Sequence, residues 1–456
     1  MAAPAMDMKV DLNAHSMEPS VLVMGMGVTG ASCARYFATQ GVGAEFVDTR
    51  PEPPQTDAIL DAMPDARVHA GGQLDTLRPT IRKIVVSPGV DLNSPLIGEG
   101  RSRGIEIVSD IDLFVAECDS PVIAVTGSNG KSTVTSMLGD MLATAGWSPA
   151  IGGNLGTPAL DLLGPDIDAY VLELSSFQLE RSGLIPATAA VILNVSPDHL
   201  DLHGDMHTYS AAKARIYSGC RHAVVDRDLP ALQGLVPVST PITTYGLGQS
   251  AAGELGIQTT SRGECIAYGD TLLLSADELP VLGRHNLSNA LAALALGSVL
   301  GANLHAMAQA LKGFEGLPHR MQVVADRDGV VWIDDSKATN VDAAVMSIAG
   351  IADPFVLIAG GDAKGASFEA LAGALADREC AAVLIGKDSA AIAGALKGIC
   401  DVKIVADLRE AVATAIEMTV PGHTVLLAPA CSSHDMFDSY EQRGDMFVAA
   451  VRESAR

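Results

Sequence analysis

The constraint that narrows the fold most is a short apolar run, Val122-Ile-Ala-Val125, followed at once by Thr126-Gly-Ser-Asn-Gly-Lys-Ser-Thr133 and then by an apolar stripe at Val134, Met137, Leu138, Met141 and Leu142. The run predicts a buried strand, and the stripe, with a period of about 3.6, predicts a helix that starts as the glycine turn ends. Small residues at Gly127, Ser128, Asn129 and Gly130 let consecutive backbone N–H groups close around a phosphate. The helix N-terminus adds partial positive charge, Lys131 supplies a point charge, and Ser132 can ligate Mg²⁺. The turn is shorter than the usual Gly-x-x-x-x-Gly-Lys-[Ser/Thr], because Val stands at 125, but a strand before it and a helix after it predict a nucleoside-triphosphate site.

A chain of 456 residues exceeds what one core supports, so about three domains are expected. Its 30 basic and 54 acidic residues give a net charge of −24, which argues against general nucleic-acid or anionic-membrane binding. An anionic ligand therefore has to be held by local positive groups. Seven scattered cysteines without a Cys-x-x-Cys pair favour reduced thiols in a cytosolic compartment. No stretch approaches the roughly 18 uninterrupted apolar residues of a membrane span. Residues 1–20 mix Asp, Asn, His, Glu and Pro and so lack the apolar stretch of a signal peptide; the first 18 or so read as a mobile tail.

The first domain, 19–110, opens with Val21-Leu-Val-Met24, turns at Gly25-Met-Gly-Val-Thr-Gly30, and reaches Asp48 after a second strand, Glu45–Val47. A Gly-x-Gly-x-x-Gly turn with an acidic residue some 20 positions on marks a dinucleotide fold. Taken alone it suggests NAD, yet the physics specifies only a pyrophosphate at a helix N-terminus, which a UDP-sugar also carries. The middle domain, 111–316, adds strands at 170–174 and 190–195, a helix from 287 to 300, and glycine-punctuated β-like stretches between 222 and 282 that predict a small antiparallel sheet beside the parallel one. The last domain, 317–456, alternates strands at 330–333, 355–359, 383–385 and 424–427 with helices, predicting a second open, Rossmann-like α/β sheet. Asp334, Asp335, Gly360 to Asp362 and Pro429 to Ser433 fall at strand ends, where such sheets bind ligands.

Across nearly its whole length the chain resembles the Mur ligases of peptidoglycan synthesis. The resemblance is carried, in family order, by 126–133, Gly153-Asn-Leu-Gly156, Leu172-Glu-Leu-Ser-Ser-Phe-Gln-Leu179, Asn194-Val-Ser-Pro-Asp-His199, Tyr209-Ser-Ala-Ala-Lys-Ala-Arg-Ile-Tyr217, Leu317-Pro-His-Arg320, Asp335-Ser-Lys-Ala-Thr-Asn340, Gly360-Gly-Asp362 and Pro429-Ala-Cys-Ser-Ser433. It implies an α/β protein of three domains: a Rossmann-like UDP domain, a P-loop ATPase-like centre and a Rossmann-like C-terminal domain. The activity implied is cytoplasmic and ATP-dependent, by a monomer that joins D-glutamate to UDP-N-acetylmuramoyl-L-alanine through an acyl phosphate, with two Mg²⁺ ions.

Residue by residue, the resemblance implies ATP contacts from 127–133, Asn286, Asn289, Arg320, Asp335 and Lys337. It implies UDP-substrate contacts from Val28, Thr29, Asp48, Thr49, Arg50, Gly89, Asn154 and His199, and glutamate contacts from Thr339, Lys364, Ser433 and Tyr440. The metal ligands implied are Ser132, Glu173, His199 and a carbamylated Lys213; Lys131, Asn154, His199 and Lys213 are implied in catalysis. Hard oxygens such as those of Ser132 and Glu173 suit Mg²⁺, and His199 has a second reading as a general base. Asp198 falls beside the carboxyl group to be activated, and a hinge near Leu317 would let the C-terminal domain close on the phosphate loop. The chain departs from the family at His434, where an apolar residue is common, and at Tyr440, where Phe is common.

Other readings stand beside this one. A sister ligase would add another amino acid, L-glutamate included; an NAD-dependent dehydrogenase would use Gly25–Gly30 and Asp48 but leave Lys131, Glu173, His199 and Lys213 without a role; a non-catalytic nucleotide-binding regulator would need only the glycine loops.

Overall fold

The structure is a computed structural model that describes residues 18–454 apart from 73, 199 and 282. It contains two compact units. One comprises the described residues up to Asp119 with Gly156–Pro165 and Phe177–Ile185; the other comprises Ser120–Leu155, Asp166–Ser176 and the described chain from Pro186 onward.

In the first unit, five strands lie in the order Arg67–His69, Ala44–Val47, Val21–Met24, Lys83–Val86, Glu106–Val108, all parallel. The central strands are continuous apolar runs because both faces are covered; all four residues of Val21–Met24 are buried. The order reverses at that strand, so its carboxyl end, the Gly25 turn, opens at a topological switch point. The two edge strands have only three residues each and are partly exposed, and no apolar run in the sequence marks them. Helix Val28–Gln40 follows the turn and stops at Gly41 in the left-handed conformation.

The second unit holds two sheets. Nine strands run in the order Thr271–Ser275, Gly263–Tyr268, Leu255–Thr260, Ile242–Tyr245, Ala223–Asp226, Ala189–Ile192, Val122–Thr126, Ala169–Glu173, Pro149–Gly153. Three antiparallel strands form one end of this sheet. They join the parallel strands through a single paired position, Tyr245 with Leu255, so the antiparallel part continues the main sheet instead of standing beside it. Ala223–Asp226 and Ile242–Tyr245, read among the short β-like stretches, are parallel members. The strand expected to reach residue 195 ends at Ile192, because Asn194 turns aside to brace the glycine loop. Helix Arg284–Val299 packs with Lys131–Thr144 and Leu304–Leu311 over one face in a shared apolar core. Small alanines on most sides of Arg284–Val299 let it be buried nearly all round.

The C-terminal sheet has the order Gln322–Arg327, Val330–Asp334, Thr424–Leu427, Phe355–Gly360, Cys380–Ile385, Asp401–Ile404. It is parallel except for the first edge strand. Insertion of Thr424–Leu427 between two earlier strands brings three strand-end loops together. Asp362 and Ser432 exchange backbone hydrogen bonds of 3.0 and 2.9 Å, and Ala430 N–H donates to the Ala338 carbonyl at 2.9 Å. Among the described residues no helix is long and apolar enough to cross a membrane.

Candidate active site

The phosphate loop is held by side chains from the neighbouring strand end. Asn129 N–H donates to Asn194 Oδ1 at 2.8 Å, and Asn194 Nδ2 returns a bond of 3.0 Å to the Asn129 carbonyl. Ser128 Oγ donates to the Ser196 carbonyl at 3.0 Å and lies 3.1 Å from the Tyr209 hydroxyl. Gly130 has φ +82°, and a Cβ there would stand 2.6 Å from Asn289 Oδ1, so a side chain is excluded both by backbone conformation and by space.

Two lysines converge on one carbonyl of this loop. Lys131 Nζ donates to Gly127 O at 2.7 Å and Ser128 O at 2.8 Å; Lys213 Nζ donates to Gly127 O at 2.9 Å and lies 4.5 Å from the centre of the Tyr209 ring. Lys213 is 1% exposed. Burial, reinforced by the charge of Lys131, pushes its amine down to about 6 despite Asp198 and Glu173. Burial lowers Lys131 as well. The apolar helix pattern around Lys213 thus does not send it to solvent; it buries the amine beneath the loop.

Glu173 closes the adjacent strand and is 2% exposed. Its Oε1 accepts from Asn154 Nδ2 at 2.6 Å, while Oε2 is buried with no hydrogen-bond partner. An unpartnered buried carboxylate oxygen is costly unless a cation joins it, so this donor fits a hard divalent ion. Among the described residues no three His, Cys, Asp or Glu side chains cluster to hold a metal. Asn154 itself is exposed at its end of the strand. His199 lies outside the described residues.

The C-terminal sheet faces the loop directly. Arg320 Nη2 donates to Ser132 Oγ at 2.8 Å. A cavity of about 800 Å³ runs from Asn129, Gly130 and Thr133 past Asn286 and Asn289 to Arg320, Asp335 and Lys337. Asn286 and Asn289 are buried and hydrogen-bonded to each other at 3.2 Å. Asp335 accepts from Ser347 Oγ and, at 3.2 Å, from Met321 N–H; burial pushes its carboxyl up to about 6. Lys337 Nζ sits 3.8 Å from the Tyr440 ring centre. Burial, with Arg320 and Lys131 nearby, lowers it to about 8.

The four residues expected to meet glutamate are spread over tied loops and one helix start. Thr339 is half-buried, and Ser433 is buried, its carbonyl accepting from Met436 and Phe437 N–H in a turn and not a helix start. Tyr440 begins helix Tyr440–Glu453, which Ser439 caps. Lys364 is exposed, in a turn at φ +48°. A second cation there, Lys387, lies 3.2 Å from Asp362. His434 is exposed. Sequence reasoning passed over Arg443, which is 1% exposed and ties Ser336 Oγ (2.9 Å), Ser336 O (2.8 Å) and Cys431 O (3.2 Å) together. In the sequence it looks like one more helix-surface charge; only its neighbour Gly444, which lets the helix approach His319, hints at close packing.

In the first unit, Val28 is 57% exposed at the first turn of helix Val28–Gln40, with Thr29 beside it. Asp48 spends both oxygens inside the protein: Oδ2 accepts from Met26 N–H at 2.7 Å and from Arg50 Nη2 at 2.6 Å, and Oδ1 accepts from Arg50 Nε at 2.9 Å. The Arg50 guanidinium and these N–H groups hold the carboxyl down at about 2. Thr49 and Gly89 are exposed, just beyond strands Ala44–Val47 and Lys83–Val86.

A lysine-bearing phosphate loop beside a buried carboxylate, with a second α/β sheet presenting Arg320 to it, defines the class as a phosphate-loop nucleotide enzyme. Residues 125–297 match the Mur ligase middle domain, 19–109 the MurD-like Mur ligase N-terminal domain, and 319–431 the Mur ligase glutamate ligase domain. The chain is 45% identical to the UDP-N-acetylmuramoylalanine–D-glutamate ligase of Nitrosococcus oceani, over 95% of this chain and 96% of that protein. It is 44% identical to the ligase of the same name from Pseudomonas aeruginosa, over 95% and 98%. The solved UDP-N-acetylmuramate–alanine ligase of Thermotoga maritima shares the fold, with a TM-score of 0.61 at 19% identity, covering 96% of this chain and all of that one (100%). The chain belongs to the Mur ligase family.

Proposed function

We propose that this chain is the cytoplasmic, ATP-dependent ligase that joins D-glutamate to UDP-N-acetylmuramoyl-L-alanine in peptidoglycan precursor synthesis, working as a monomer. The observation that carries the reading is the phosphate loop itself. Lys213 and Glu173 are buried and Lys131 is half-buried around it, in a chain whose 45%-identical relative bears that enzyme's name.

In this reading the alanyl carboxylate attacks the γ-phosphorus of ATP and ADP departs, giving an acyl phosphate. The glutamate amine then attacks the acyl carbon, inorganic phosphate leaves, and the amine loses a proton. Lys131 lies where negative charge gathers on the transferred phosphoryl group. Glu173 and Ser132 would hold Mg²⁺, which supplies charge neutralisation between the phosphates. With its amine brought down to about 6, Lys213 is neutral at physiological pH; it can add CO₂, release a proton and become an anionic carbamate beside the metal. Arg320 and Lys337 would clamp the nucleotide phosphates, Asn286 and Asn289 its far side, and Asp335 the ribose. Val28, Thr29 and Gly89 would border the diphosphate and uridine, with Asp48 fixing Arg50 at the turn. Thr339, Ser433, Tyr440 and Lys364 would take the amino acid, whose two carboxylates require donors at two points.

The test is phosphate release by purified protein with ATP, Mg²⁺ and UDP-N-acetylmuramoyl-L-alanine, supplied in parallel with D-glutamate, L-glutamate, meso-diaminopimelate or no amino acid. Release that requires D-glutamate, with the mass of one glutamate residue added to the UDP-sugar, is the expected result. Release with a different amino acid only would reassign the substrate.

A further inference from the structure

Asn340 closes the motif that begins at Asp335, and its side chain does two separate things. Its Oδ1 accepts from Ala343 N–H at 2.9 Å, capping helix Val341–Ala349. Its Nδ2 points the other way, across to the phosphate-loop domain, and lies 3.4 Å from both Asn129 Oδ1 and Asp198 Oδ2. An N-cap needs only an acceptor, and Asp, Ser or Thr would serve equally. The amide is required only by the second set of contacts, where two acceptors face one donor.

The partners give that contact its meaning. Asn129 belongs to the phosphate loop and is itself clamped by Asn194. Asp198 ends the strand-end segment that carries Ser196, to which Ser128 bonds. On the other side, Thr339 adjoins Asn340, and the cap fixes the start of the helix that carries Ser347, the partner of Asp335. Arg320, by contrast, makes its bond to Ser132 with a flexible side chain. Asn340 is anchored by its own cap, so its amide can meet Asn129 and Asp198 only when the two sheets have the separation seen here.

We propose that Asn340 is a positioning residue that latches the C-terminal domain onto the phosphate loop and sets the distance between the acyl-activating and amine-delivering halves of the site. The proposal rests on the ligase reading above and names a residue that reading does not use. Because the latch joins Asn129 to the helix start at Ala343, and both of these residues line the cavity, it acts on nucleotide affinity and on turnover, and leaves binding of the UDP-substrate unchanged.

Three substitutions separate latch from cap. Asn340→Ser keeps a capping acceptor and removes the amide; kcat should fall about tenfold and affinity for a non-hydrolysable ATP analogue about three- to tenfold, with an unchanged melting temperature and unchanged KM for the UDP-substrate. Asn340→Asp also keeps the cap but sets a carboxylate against Asp198, and should cost more, roughly 100-fold in kcat. Asn340→Ala loses both functions and should resemble Asn340→Ser in kcat while melting lower. Wild-type turnover and analogue affinity in Asn340→Ser, or an activity loss found only where the melting temperature falls, would overturn the latch. Calorimetric binding of the analogue needs no ligation, so a wild-type chain that fails to ligate glutamate would sink the ligase reading and still leave the latch to be judged.

Discussion

The chain contains two glycine turns at the carboxyl ends of central parallel strands, one at Gly25–Gly30 and one at Gly127–Gly130, and they treat charge in opposite ways. At the first, Asp48 is matched by short bonds from Arg50 and Met26, and its charged form is favoured. At the second, two lysine amines are buried against backbone carbonyls, and burial disfavours their charged form. The first turn is thus electrostatically settled. The second holds groups whose charged form burial disfavours, the kind of perturbation that clusters where charge moves during a reaction.

The largest expected difference is between Lys131→Met and Asp48→Asn. Removing the loop lysine should lower kcat by about 10³-fold with UDP-substrate affinity retained, whereas Asp48→Asn should act on KM for that substrate and spare kcat. Steady-state kinetics with each substrate varied in turn reads both; equal effects on kcat would erase the distinction. Next in size are matched glycine substitutions. In Gly130→Ala the new Cβ meets Asn289 Oδ1 at 2.6 Å, and in Gly30→Ala it meets the Gly25 carbonyl oxygen at 2.2 Å. The first should weaken binding of an ATP analogue, the second binding of the UDP-substrate, each by roughly 10- to 100-fold. Titration calorimetry with both ligands on both variants checks that the losses do not cross over.

A smaller effect follows from Lys213. Its neutral amine, titrating at about 6, is the form that adds CO₂. Activity should therefore be sustained above that pH and fall roughly tenfold per unit below it. A rate profile from pH 8 to 5, with UDP-substrate binding monitored as a folding control, checks this; a flat profile would remove Lys213 from the chemistry.

How far these contrasts could be read from the sequence depends on what each feature depends on. The phosphate loop, its strand and its helix are local: apolar period and glycine spacing fix them, and Val122–Thr126 with Lys131–Thr144 lie where the pattern places them. The depth of Lys213 is not local, since a lysine on a helix of mixed exposure can point either way until the sheet packs over it. The two three-residue edge strands, the junction at Tyr245 and Leu255, and the burial of Arg443 are likewise set by tertiary contacts that no window of sequence contains. Asn194 and Asn340 sat inside recognised motifs, yet their function as braces becomes visible only when loops remote in sequence meet.

The smallest predicted effect concerns the settled turn itself. Asp48 is held at about 2, first by the side-chain bonds from Arg50 and against the cost of burial. A carboxyl whose folded value lies below its unfolded one of about 3.9 contributes stability above the unfolded value and loses it as pH falls toward the folded one. Arg50 is half exposed, with 51% of its side chain accessible, so solvent screening reduces the contribution to about 1 kcal/mol. Asp48→Asn should therefore lower the stability of the N-terminal unit by that amount at pH 7, and by progressively less between about pH 4 and 2, where wild-type Asp48 itself becomes protonated. Denaturant unfolding followed by exchange protection of the Met26 amide measures it. A penalty that persists undiminished at low pH would mean that the lost bond geometry, and not the charge of Asp48, holds the turn.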